Sequence, residues 1–391
     1  MKIALVCPAS LPATQFGGIL FLAVDIAEEA AKFGHHITIY TTDLDFANNP
    51  KTFNKKLPRS EFIHGFKINR THVWFSLKLF FINPGMYLQI KHNLPDIIHS
   101  IGVRSFQSFI AACISKKYKI PLVISDQGGL TTHPDLKVDW KHRLLYSIQD
   151  LMIRFVIKQA TKISVANEYE KKIFAGYCVE NKTIIVRNGV NLDSLVHQTN
   201  NFKKKYNIEE NFILFVGRFS RVKGIDVLLE AWNIARKSIK SDLKLVIMGV
   251  DFGFESEMMT MIEKLQLNND VLVIKNPPRG EVISAYESCE FLVLPSRWEL
   301  SPLTPLEGFA FRKPTISTTA HGIPHTIQDG ENAILVKPDN PNELSDAILR
   351  LLLDEKMRIR YGNSGYKLVH EECNSTKMAE NTLKIYHDIC T

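Results

Sequence analysis

Short β-rich apolar runs alternate with amphipathic segments through most of the 391 residues, and that rhythm restricts the fold more than any single motif does. The run 2–7 reads as a buried strand, 19–33 has helical spacing with Gly34 as its stop, and 37–41 is a second strand. This is a βαβ unit. The alternation continues through 97–99, 104–117, 122–125, a long amphipathic stretch 138–159, and 163–166. Polar residues from 191 to 210, including Lys203, Lys204 and Lys205, interrupt it, and the apolar run 212–216 restarts it. Helical patterns at 223–238, 255–266 and 280–287 then interleave with strand patterns at 243–248, 271–274 and 291–294. A helix opens at about Thr304, a strand follows at 315–317, and the tail from 341 reads as three helices. The pattern predicts an α/β chain of two doubly wound, Rossmann-like domains facing each other across a cleft. Their expected bounds are 1–190 and 212–370, joined by a linker 191–211, with a last helix 371–391 crossing back to the first domain. In open α/β sheets ligands bind beyond the carboxyl ends of the strands, so the loops there are where chemistry is expected.

Composition narrows the class. Hydrophobic residues at 45% and charged residues at 23% exclude long disorder, collagen and coiled coil. The six cysteines are far apart and form no C-x-x-C pair, which argues against a zinc ribbon or disulfide scaffold and fits a reducing cytosol. Residues 1–7 imitate a signal peptide, but Pro8 closes the apolar run too soon. The stretch 73–88 is interrupted by Lys78, Asn83 and Pro84, so it is too short to span a bilayer. The expected location is cytoplasmic, at most peripheral on a membrane. Thirteen histidines are scattered without H-E-x-x-H or a metal-like cluster, so no metal site is expected.

The net charge of +7 is uneven: residues 1–193 hold 24 Lys and Arg against 15 Asp and Glu, or +9, and the remainder 24 against 26. Such a balance suits an anionic partner, or solubility alone. Trp74, Phe75, Leu77, Leu79, Phe80 and Phe81 lie among Lys67, Arg70 and Lys78, a composition that fits an anionic membrane surface bearing a lipid-linked acceptor. A buried helix with its flanks fits it equally.

Three loops carry candidate chemistry. Phe16-Gly17-Gly18-Ile19 precedes the first helix, where paired glycines let backbone amides approach a phosphate; a tight turn explains them about as well. After run 212–216 come Gly217-Arg218 and Lys223-Gly224, which place two cations at a strand–loop–helix junction suited to a diphosphate, or simply form a solvated basic loop. After run 291–294, Glu299 and Glu307 bracket the next loop and could accept hydrogen bonds from sugar or ribose hydroxyls. Thr304-Pro305-Leu306-Glu307 also has the form of a capping box, with Glu307 capping its own helix.

Together these features resemble the retaining glycosyltransferases of family 4, two-domain enzymes of the GT-B architecture, over nearly the whole chain. The resemblance is carried by Phe215-Val216-Gly217-Arg218 through Lys223-Gly224-Ile225-Asp226, by Leu245 to Gly249, and by Leu294-Pro295-Ser296 through Glu299 to Glu307. Asn188-Gly189-Val190-Asn191 and Gly34 to Ile39 add to it. It implies that Arg218 and Lys223 hold the diphosphate of a nucleotide diphosphate sugar, that Glu299 contacts the donor sugar, and that Glu307 contacts the ribose. It also implies phosphate contacts from the amides of Ser301, Leu303 and Thr304, and from Gly17 and Gly18 across the cleft. The implied activity is a retaining hexosyl transfer to a hydroxyl acceptor, glycan or lipid-linked, with no cofactor and no nucleic-acid partner. A sugar-nucleotide epimerase and a non-catalytic sugar-nucleotide binder are the alternatives. The chain departs from the family at Pro302, where glycine is common, and at His321-Gly322-Ile323-Pro324-His325, which replaces G-G-x-x-E. Gln127 stands where the family often has histidine; it could orient a hydroxyl but not exchange a proton, with His99 and His133 as the next candidates.

Overall fold

In the computed structural model, residues 1–14, 17–45, 53–77, 80–128, 130, 140–196, 202–239 and 243–390 are described. Phe16, Lys78, Leu79 and His133 lie outside them. In chain order the first elements are β1 (Lys2–Val6), α1 (Gly18–Lys32), β2 (His36–Thr42), β3 (Ser60–Ile63), β4 (Phe66–Thr71), β5 (Phe75–Leu77), β6 (Phe80–Ile82), α2 (Gly85–His92), β7 (Ile97–Ile101), α3 (Phe106–Tyr118), β8 (Leu122–Ser125), α4 (Trp140–Gln159), β9 (Lys162–Val165), α5 (Glu168–Ala175) and β10 (Thr183–Ile185). There follow α6 (Phe202–Lys205), β11 (Asn211–Val216), α7 (Ile225–Ala235), β12 (Leu243–Gly249), α8 (Glu255–Lys264), β13 (Val271–Lys275), α9 (Arg279–Ser288), β14 (Leu292–Leu294), α10 (Leu303–Ala310), β15 (Thr315–Thr318), β16 (Ala333–Val336), α11 (Pro341–Leu353), α12 (Glu355–Glu371) and α13 (Ser375–Cys390).

Two compact units result. Met1–Gly189 and Ser375–Thr391 form the first, and Val190–Asn374 the second, so the polar segment 191–211 folds with the second unit and α13 with the first. The first sheet runs β10-β9-β8-β7-β1-β2-β4-β3, parallel except for β3, which pairs antiparallel with β4. The second runs β13-β12-β11-β14-β15-β16, all parallel. Parallel strands covered by helices on both faces must be apolar throughout, and β8 and β14 are buried at every residue. In the second unit Trp232 of α7, Phe215, Phe219 and Phe254 fill the core between sheet and helices.

The described residues of 73–88 do not form one buried helix. β5 and β6 form an antiparallel pair of three residues each, too short for a period to show, and α2 starts only after Pro84. Trp74, Phe75 and Leu77 are exposed, whereas Phe81 is buried. Arg70 is no surface cation either. Its buried guanidinium pairs with Glu61 and donates to the carbonyls of Pro58 and Leu11 at 3.1 and 2.6 Å.

α13 packs on α1, where Ser375 and Thr376 hydroxyls reach the buried Glu29 carboxylate at 3.5 and 3.2 Å. Deeper in, the Tyr386 hydroxyl meets Nδ1 of His99 at 2.5 Å and the Ser125 hydroxyl meets Nε2 at 2.7 Å. A neutral imidazole donates from one nitrogen and accepts at the other, so both hydroxyls are satisfied. Burial pushes His99 down to about 3. Between that value and the ordinary one of 6.5 the unfolded chain binds a proton that the folded chain refuses, so His99 costs stability as pH falls through this window. The melting temperature of the wild type should drop across it more steeply than that of His99→Gln. Tyr386→Phe, which strands a buried ring nitrogen, should cost about 1–3 kcal/mol in denaturant unfolding near neutral pH.

Candidate functional site

The carboxyl end of β11 delivers Gly217 and Arg218. Phe219 behind them is fully buried, its amide donating to Val250 at 2.8 Å and its carbonyl accepting from Phe252 at 2.9 Å. That anchor sets the Arg218 guanidinium against the Phe252 ring, 4.8 Å from its centroid. Burial pulls the guanidinium below its ordinary pKa, while the Glu299 carboxylate pushes it back up. A 3₁₀ turn, Arg221–Lys223, leads to Gly224, which caps α7 with a φ of 67°. A side chain there would need both that left-handed backbone and a Cβ only 2.1 Å from the carbonyl oxygen of Pro295, so the position admits glycine alone.

Pro295 opens the loop after β14. Ser296 is buried, its carbonyl held by the Thr318 hydroxyl at 2.6 Å, and its own hydroxyl donates to Glu299 at 3.2 Å. The backbone carbonyl of Glu299 accepts from Gly322 at 3.0 Å, so the divergent 321–325 segment supports this loop from below. The Glu299 carboxylate pairs with the Lys223 ammonium, the two largely buried side chains closing one loop onto the other. Arg218, Lys223 and Glu299 therefore come together as the sequence suggested. The cluster offers two cations to an anion and a carboxylate to a hydroxyl.

α10 begins at Leu303, one residue earlier than expected, with Pro302 as its cap and no side chain bonding its first amides. The capping-box reading of Thr304 and Glu307 thus fails: Thr304 is already the second helical residue. Prolines at 302 and 305 carry no N–H, so the first turn presents only the amides of Leu303 and Thr304, groups that no intrahelical carbonyl can reach. Ser301, just before, meets the Thr326 hydroxyl through its own at 3.4 Å.

Glu307 instead faces α9. One carboxylate oxygen accepts from Arg279 and the other from the Tyr286 hydroxyl, both at 2.7 Å. Burial, reinforced by the Glu307 charge, raises the Tyr286 pKa well above its ordinary value and keeps it a donor. Sequence reasoning missed both partners. Their spacing of seven, two turns on one helix face, was the available signal.

In the first unit Gly17 caps α1 at φ 94° and ψ −150°, a conformation open to glycine, and the first turn of α1 holds no acidic residue. Gln127 follows β8 at φ 55°, its amide donating to Glu170 at 3.3 Å. Its side-chain amide and that of Asn188 exchange reciprocal bonds of 3.1 and 3.0 Å, which leaves Gln127 one N–H and one acceptor position. Beneath them burial and the neighbouring Asp126 charge raise Glu170 to about 8. His99 is committed to Ser125 and Tyr386 and does not serve as a surface acid or base.

Among the described residues no three of His, Cys, Asp and Glu gather as a metal site, and no described helix is long and apolar enough to cross a membrane. Sequence comparison matches the family described as Glycosyl transferases group 1 over residues 197–368 and Glycosyltransferase Family 4 over residues 16–194. An uncharacterized glycosyltransferase of Methanocaldococcus jannaschii is 28% identical over 75% of this chain and 76% of its own. N-acetyl-alpha-D-glucosaminyl L-malate synthase of Bacillus anthracis is 23% identical over 100% of this chain and 97% of its own. Among solved structures, an Anabaena protein in complex with UDP and glucose superposes with a TM-score of 0.77 at 15% identity, over 99% of this chain and 100% of that one. The two matched halves, the two Rossmann-like units and the agreement in fold lead to one conclusion: the chain belongs to the family 4, group 1 glycosyltransferases of GT-B architecture.

Proposed function

We propose that the protein is a retaining hexosyltransferase that takes the sugar of a nucleotide diphosphate sugar and gives it to a hydroxyl acceptor, a glycan or a lipid-linked one. The observation that carries this reading is the Lys223–Glu299 pair beside Arg218, two cations and a carboxylate at the carboxyl ends of β11 and β14. A structural neighbour solved with UDP and glucose supports a donor of that class. In the reaction the bond from the anomeric carbon to the phosphate oxygen breaks and the acceptor oxygen bonds that carbon on the same face. The acceptor proton passes to the departing phosphate, leaving a glycoside and a nucleoside diphosphate. Charge on the leaving group is the main barrier term a protein can lower, and Arg218, Lys223 and the amides of Ser301, Leu303 and Thr304 address it without a metal or cofactor. Glu299 takes a sugar hydroxyl once the diphosphate competes for Lys223, and Glu307, oriented by Tyr286 and Arg279, takes the ribose. In the first unit, Gly17 and Gly18 serve an anionic group and the remaining N–H of Gln127 a hydroxyl. The exposed Trp74, Phe75 and Leu77 with Lys67 suit a membrane surface and support our reading of the protein as peripheral on the cytoplasmic side.

Calorimetry with UDP, GDP and ADP should find a binder, and Arg218→Ala or Lys223→Ala should weaken it about ten- to a hundredfold, each removing a charge-assisted bond. Glu299→Gln frees Lys223 and should hold or tighten the nucleoside diphosphate while slowing release of hexose from the matching donor. Wild-type affinity in the Arg218→Ala/Lys223→Ala double variant would refute the assignment. Proton NMR of the donor separates the classes: slow hydrolysis without an acceptor fits a transferase, an altered sugar an epimerase, and an untouched donor a binder.

Co-sedimentation should show binding to vesicles with anionic lipid, lost on Trp74→Ser/Phe75→Ser and weakened by salt. Equal binding to neutral vesicles, or none to either, would remove the electrostatic part.

A further inference from the structure

Arg297 stands two residues before Glu299, yet its side chain turns away from the role its charge suggests. Nη1 and Nη2 bind the two carboxylate oxygens of Asp226 at 2.8 Å each, a bidentate fork on the first turn of α7. Nε binds Asp339 at 2.6 Å, Nη1 also donates to the carbonyl of Arg221, and the backbone amide of Arg297 donates to Val222 at 2.8 Å. Four of the five guanidinium donors are engaged, so this cation has little left for a ligand. Arg221 is committed as well, to Glu257 at 2.5 Å. The carbonyls Arg297 holds, directly or through its backbone, are those of Arg221 and Val222, immediately before Lys223.

We propose that Arg297 is a positioning residue that ties the Glu299 loop to the Lys223 turn through Asp226, so that nucleoside diphosphate affinity depends on a side chain that touches no phosphate. This rests on the donor-site reading above. Its physical basis is preorganisation: with Gly224 pressed against Pro295 and Arg297 forked onto Asp226, the Lys223 ammonium is already placed before a ligand arrives. Lysine at 297 cannot reproduce the fork, whereas loss of Asp339, which is exposed and bound by one contact, should matter little.

The probe is whichever of UDP, GDP and ADP binds the wild type most tightly. Arg297→Gln and Asp226→Asn should each weaken it about tenfold while the thermal melt stays cooperative, and Asp339→Asn should change it less than about twofold. In a Lys223→Ala background Arg297→Gln should add less than about twofold, because the ammonium it positions is gone. Unchanged affinity in Arg297→Gln, or an equal cost in both backgrounds, overturns the inference. If the wild type binds none of the three, the donor-site reading fails and the tether is still read in the ligand-free protein: amide exchange over 220–226 and 295–301 should accelerate in Arg297→Gln and in Asp226→Asn. Exchange rates equal to wild type would overturn it there.

Discussion

The contact between Lys223 and Glu299 closes two loops that leave separate strands of one parallel sheet. Everything nearby in the second unit is arranged around that closure. Phe219 anchors one loop in the core, and Thr318 and Gly322 hold the other. A pair of opposite charges this sheltered is expensive to leave unpaired, so each member fixes the other, and an anion of sufficient charge is the natural competitor. The pair is thus a structural latch and, on the proposed reading, the place where a diphosphate would compete. Glu307 follows the same logic one helix on, with both carboxylate oxygens already oriented by Arg279 and Tyr286.

The first unit is organised by burial of polar groups rather than by exposed charge. His99, Ser125 and Tyr386 fasten the last helix to the sheet, and Glu170 and Asn188 fix the backbone and side chain of Gln127. The same unit leaves Trp74, Phe75 and Leu77 in solvent beside the short antiparallel pair of β5 and β6. Stability there is sensitive to pH from two directions: a buried neutral imidazole weakens the fold as acid is added, and a buried carboxyl at Glu170 weakens it as pH rises from its ordinary value towards about 8.

Most of the architecture was legible because parallel strands buried on both faces must be apolar, and β1, β8, β11 and β12 each declare themselves in the sequence. β3, β5, β6 and β10 were not legible: three or four residues, many of them exposed, are too few to show a period. Arg218, Lys223 and Glu299 were found from their places at strand ends, but the pairing of 223 with 299 spans 76 residues and is a property of the fold alone. The start of α10 was misread because Pro-Leu-Thr-Pro permits either proline to open the helix, and only packing selects Leu303. Arg297 carries no signal in the sequence, because its four side-chain bonds reach partners 42 to 76 residues away.

A crystal structure of the protein with a bound nucleoside diphosphate tests the central claim most directly. The account predicts phosphate oxygens about 2.7–3.2 Å from both the Lys223 ammonium and the Arg218 guanidinium, with Lys223 drawn off Glu299 and the Arg297–Asp226 fork intact. A diphosphate bound elsewhere, with the Lys223–Glu299 pair undisturbed, would contradict it.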